Sequence, residues 1–160
     1  MAKYASVRTD NMSGTTVGKD LVSLKADANV ENGSVVVVGD LIEGEREVRA
    51  ISDMTATSKL KDLALVASVE IVKSKNYNTL GEFVNEKDSI MRGYRLVTND
   101  VFSITKEAFK PEGASSAKVG AFVVACAGRK MDVASAEAEG TTTIGKIIAI
   151  EGNWYVIEVA

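Results

Sequence analysis

Apolar residues along this chain fall in short runs cut by glycine, asparagine and aspartate, and few of the runs carry helical spacing. Asn32-Gly33 is a turn signal, and four valines follow Ser34 directly. Valine is stiff at χ1 and packs well on a pleated surface, so Ser34–Val38 is expected as a central strand ended by Gly39-Asp40. Glu47–Ile51 alternates charged and apolar positions, as a strand with one wet face does. Leu63–Val72 is long enough for helix or strand. Its β-branched second half, where Glu70 is the one charge, favours a buried strand. Thr79 followed by Glu82 has capping-box spacing and suits one helical turn over Thr79–Asn85, with a loop as the alternative.

Tyr94–Thr98 and Val101–Thr105 read as a hairpin about Asn99-Asp100, and Pro111 sits in a turn that closes this region. Lys118–Cys126 is the next strand and Arg129–Val133 a short polar one, while residues 134–140 fit helix or loop. At the end of the chain Ile144–Ile150 and Trp154–Val159 flank Glu151-Gly152-Asn153, giving a hairpin with a three-residue loop. Residues 1–20 are polar and small and read as an extended N-terminal arm before a β domain at 21–160. The fold class that follows is mainly β: an antiparallel sandwich or barrel of short strands with a C-terminal hairpin and at most one or two short helices.

Composition narrows the chemistry. The 160 residues carry 19 basic and 22 acidic side chains, a net charge of -3, which argues against a bulk nucleic-acid binder while leaving room for a small basic patch. Histidine is absent, and with it the commonest general base and zinc ligand. Cys126 is the single cysteine and reads as a structural thiol. Ser13–Asp20 has the texture of a phosphate loop. Yet Gly14 and Gly18 are one residue too close, and Asp20 stands where a hydroxyl should hold magnesium. The acidic groups Glu43/Glu45/Glu47 and Glu137/Glu139 read as solvated faces, and no calcium-loop pattern is present. Lys59-Leu60-Lys61 and Lys73-Ser74-Lys75 read as solubility residues. The expectation is no enzyme, no catalytic residues, no metal and no cofactor. Met1–Arg8 has no apolar core of signal length and no run reaches a membrane span, so an intracellular protein is expected, and the sequons at Asn11 and Asn32 read as chance.

One family resemblance adds to this. Leu80-Gly81-Glu82-Phe83-Val84-Asn85-Glu86, Arg92-Gly93-Tyr94-Arg95-Leu96, Asp100–Thr105 and the terminal stretch Ile144–Val159 resemble small head-structural proteins of tailed bacteriophages and prophages of Gram-positive bacteria. The resemblance implies a capsid decoration, or cement, protein on the virion surface, bound to the major capsid protein of the shell and oligomeric there, with no nucleic-acid or membrane partner. It supplies no active-site residues. Within the arm, Tyr4, Val7 and Arg8 are the expected contact residues, since ordering such a segment costs about 1–2 kcal/mol per residue and needs a surface to lie on. The alternatives are another virion component of tail or head completion, or a ligand- or polysaccharide-binding β-barrel. The barrel reading expects an aromatic pocket from Phe83, Tyr94, Phe102, Phe109, Trp154 and Tyr155.

Overall fold

The valine run is apolar at every position because both of its faces are covered. In the computed structural model, which describes residues 2–70 and 79–160, Val36 and Val38 point into the interior of a small barrel. Val35 and Val37 point the other way, into a second core shared with a neighbouring sheet. Leu63–Val66 repeats the arrangement: Ala64 and Val66 fill the barrel, and Leu63 and Leu65 face the sheet. Strands buried on both sides lose the alternation that a half-wet strand shows.

The barrel is closed and five-stranded, built from β2 (Leu21–Lys25), β3 (Val35–Leu41), β4 (Val48–Asp53), β5 (Leu63–Val66) and β6 (Ile90–Arg95) in the order β2-β4-β3-β5-β6. The expected mainly β fold with an antiparallel barrel is what forms, with β2 and β4 its one parallel pair. Its interior is narrow. A Cβ built on Gly93 would lie 2.6 Å from Leu24 Cδ1, so glycine is what lets the Leu24 side chain fill the centre.

The six-stranded sheet runs β1-β7-β11-β10-β8-β9, with β1 at Val7–Asn11, β7 at Val101–Thr105, β8 at Phe122–Val124, β9 at Asp132–Ala134, β10 at Thr143–Glu151 and β11 at Trp154–Val159. Its inner face supplies Phe102, Ile104, Ile147 and Ile157, each fully buried against Leu63 and Leu65 of the barrel. Each such side chain removed from water is worth about 1.5–3 kcal/mol, so this shared layer is the main adhesive between the two sheets.

Several expectations change. Residues 94–105 do not form a hairpin: β6 belongs to the barrel and β7 to the sheet, and the turn at Asn99 (φ 70°) carries the chain between them. Gly39-Asp40 does not end β3 but lies within it, at a bulge between Val38 and Leu41. Pro111 opens a short helix, α1 (Pro111–Ser116), because a first-turn position needs no N–H. The strand expected over Lys118–Cys126 shrinks to the three residues of β8, and the polar one shifts to β9. Residues 135–140 are loop. The terminal hairpin stands, but Glu151 pairs with Trp154, so its loop has two residues, with Gly152 at φ 62° as a II′ turn requires. The 3-10 turn Leu80–Glu82 carries the capping box read from Thr79 and Glu82. Of the long run expected as one strand, residues 63–66 are β5 and 67–70 are not strand; Ile71, Val72 and the Lys73-Ser74-Lys75 spot lie outside the described residues.

The largest change concerns residues 1–20. Val7–Asn11 is the edge strand of the sheet, with Val7 opposite Ile104 and Arg8 opposite Ser103. Ala5 and Met12 are buried in the shared core. The Ala5 amide donates to Glu31 Oε2 at 2.9 Å, and the Ser13 amide and hydroxyl donate to the Asp100 carboxylate at 2.9 and 2.7 Å. Polar, small residues look like an arm in sequence, but here backbone groups of the segment are bonded to the body and the Ala5 and Met12 side chains are buried in it.

Candidate functional site

Tyr4, Val7 and Arg8 are brought to one edge of the sheet but do not act alike. The Tyr4 amide is held by the Gly81 carbonyl at 2.8 Å, and Lys3 lies over its ring at 5.0 Å. Val7 packs inward against the shared core. Arg8 points outward, with its guanidinium 3.9 Å from the centroid of the Trp154 ring two strands away. A cation over an exposed indole is worth about 0.5–1 kcal/mol, enough to hold the guanidinium in place while its donors remain open to a partner. Among the described residues no strand lies against the outer side of β1, which makes it an edge strand of the sheet.

Four of the six aromatic residues of the ligand-pocket alternative meet in the packed shared core rather than around a pocket, and Phe83 and Trp154 lie outside that cluster. Phe102 and Phe109 are core residues, Tyr94 is buried, and Tyr155 meets Phe109 edge to face at 5.4 Å. Trp154 stands on the opposite face of the sheet under Arg8. The stretch that resembles a phosphate loop is a structural clasp: its Ser13 amide is spent on Asp100, and Gly14 is packed against the Tyr94 ring. Cys126 donates its thiol hydrogen to the Lys130 carbonyl at 3.0 Å, and burial pushes its pKa up. Asn32, one of the sequon residues, is buried. Among the described residues no group of three or more histidine, cysteine, aspartate or glutamate side chains is placed to hold a metal ion. No helix among them is long and apolar enough to cross a membrane.

The structure also assembles a feature that the sequence does not announce. At one end of the barrel lies a depression of about 420 Å³, lined by Lys19, Arg46, Arg49 and Arg95, with Leu21, Val22 and Leu41 beside them. Arg49 shares strand parity with Ile51, which packs in the barrel core, and Arg95 shares it with Gly93, whose Cβ position faces Leu24. Both arginines therefore sit on inward positions and close the barrel core at its mouth. Arg49 Nη1 donates to the Gly39 carbonyl at 3.1 Å, which fixes its direction. None of the four cations is in an ion pair among the described residues, and Glu47 is the one carboxylate in the lining. The available signal is parity: in Glu47–Ile51 an arginine occupies the same face as the isoleucine. Alternation alone reads that arginine as solvated, and nothing local links it to Arg95 or Lys19.

The other ionic cluster is structural. Arg129, in the segment between β8 and β9, reaches Asp27 at 2.8 Å and Asp53 at 2.7 Å, tying that segment to the barrel. The Arg129 hydrogen bond holds the Asp27 carboxyl below its ordinary value, and the same contact raises Arg129. No family model, curated protein or solved structure matches this chain.

Proposed function

We propose that this protein is a virion structural protein that binds the outside of an assembled bacteriophage capsid as a homo-oligomer and stabilises it against the pressure of packaged DNA. Its partner in this reading is the major capsid protein of the shell. The likeness of residues 80–105 and 144–159 to head-structural proteins motivates the reading. The observation that carries it is the outer edge of β1 beside the Arg8–Trp154 stack. An unpaired strand edge offers main-chain hydrogen bonds to a strand of another subunit, and many copies of such a contact add up over a shell.

The contact is a surface on a rigid body rather than a free arm, and this changes the experiment. Removing residues 2–16 would take away β1 and the buried Ala5 and Met12, so loss of binding would report unfolding. The informative variant is Arg8→Glu in the full chain, which keeps the strand and reverses the outward charge. Purified protein is co-sedimented with undecorated phage heads, and its mass in solution is measured by light scattering. Saturable binding at a fixed ratio to the shell subunit, weakened by Arg8→Glu, is the expected result. A full-length protein that stays in the supernatant at all concentrations overturns the reading.

A further inference from the structure

The cationic mouth of the barrel has the chemistry of a recognition site and is independent of the β1 edge and of the shell reading. Acidic residues outnumber basic ones in this chain, yet Lys19, Arg46, Arg49 and Arg95 surround one depression without an ion pair among the described residues. Arg49 and Arg95 are half-buried residues, a placement that costs a cation hydration, and neither has an ion-pair partner among the described residues. Mutual repulsion adds to that cost, and an incoming anion relieves both. Guanidinium groups match carboxylates in a planar, two-bond geometry.

The lining also carries apolar surface: Leu41 is 46% exposed beside the cations, with Val22 next to it. A free inorganic anion has no use for that surface. A peptide that alternates acidic and apolar side chains does, and a depression of about 420 Å³ holds a few residues of extended chain. We propose that the barrel mouth binds an acidic peptide segment of a protein partner, with Arg49 and Arg95 taking its carboxylates, Arg46 and Lys19 closing over them, and Leu41 and Val22 contacting an apolar side chain between.

The test uses the full-length protein and three probes: a blocked Glu-Leu-Glu-Leu-Glu peptide, inorganic pyrophosphate and a short oligothymidylate. Binding is measured by calorimetry, and contacts are located by amide shifts in labelled protein. The expected result is that the peptide binds in a salt-dependent manner and shifts residues 18–23, 39–49 and 93–95. Arg49→Gln with Arg95→Gln is expected to weaken binding about tenfold or more. Arg46→Glu, at an exposed rim position that does not contribute to the core, tests the same point should the double variant fail to fold. Lys118→Gln, at an exposed residue outside the lining, is the charge control and is expected to leave binding unchanged. Absence of peptide binding, binding unaffected by Arg46→Glu, or tighter binding of pyrophosphate or oligothymidylate than of the peptide would each overturn the proposal.

Discussion

Asn32 is where one small change should cost the most relative to what the sequence suggests. Its side chain is 1% exposed and stitches three segments together. Nδ2 donates to the Ser68 carbonyl at 2.9 Å and to Glu70 Oε1 at 3.2 Å. Oδ1 accepts from the Ser68 amide at 3.0 Å and from Asn85 Nδ2 at 3.1 Å. Asn32→Ala therefore strands both backbone groups of Ser68 and removes one of the two acceptors of the Asn85 amide, whose bond to the Val30 carbonyl at 2.9 Å remains. An unsatisfied buried polar group costs about 1–3 kcal/mol. Ser68 is half-buried, so water recovers part of that, and the sum is about 2–4 kcal/mol. For a domain of this length the change corresponds to a fall in Tm of roughly 4–16 °C. Thermal and urea unfolding followed by circular dichroism measure it, with Asn11→Ala, at an exposed position of β1, as the control. Asn32→Asp keeps the acceptor for the Ser68 amide but loses the donor to the Ser68 carbonyl and to Glu70, so it too should lower the midpoint. An Asn32→Ala protein that melts within a degree of the parent, with an unchanged urea slope, would refute the idea that this buried amide holds the three segments together.

Three further outcomes follow from the same packing. Gly145→Ala should destabilise the sheet by about 1–3 kcal/mol, because the new Cβ would clash with the Glu158 carbonyl oxygen and backbone cannot yield as a side-chain tip does; urea midpoints are the measurement, and an unchanged midpoint contradicts the packing. Asp27 has a lowered pKa in the folded state, so its contribution is present above its ordinary value of 3.8 and is lost as pH falls through the lower folded value; acid unfolding of Asp27→Asn should differ from the parent near neutrality and converge with it in strong acid, by a small amount because the carboxylate is half exposed. Cys126 should alkylate with iodoacetamide at pH 8 far more slowly in the native protein than in urea, since burial raises its pKa, and equal rates would place the thiol at the surface.

The arrangement of short strands, the capping box at Thr79 and Glu82 and the terminal hairpin were legible in the sequence because each depends on neighbours within a few residues: a β-branched run, a hydroxyl three positions before a carboxylate, a glycine in a tight turn. The apolar density of Val35–Val38 and Leu63–Val66 marked a central and a buried strand, and the structure adds that both faces of each are covered. Which strands pair was decided by tertiary structure. Val101–Thr105 has an equally good pattern for pairing with Tyr94–Thr98, and it joins β1 and β11 instead because Phe102 and Ile104 then complete the layer between sheet and barrel. The fate of residues 1–20 was decided in the same way. Their local composition favours no regular element, and the long-range partners of their backbone, the edge of β7 with Gly81, Glu31 and Asp100, come from distant parts of the chain. The cationic mouth depends on closure of the barrel, which brings together side chains as far apart as Lys19 and Arg95. Local patterning fixes what a segment can become, and the long-range burial of apolar surface selects which of those possibilities is realised and which side chains meet.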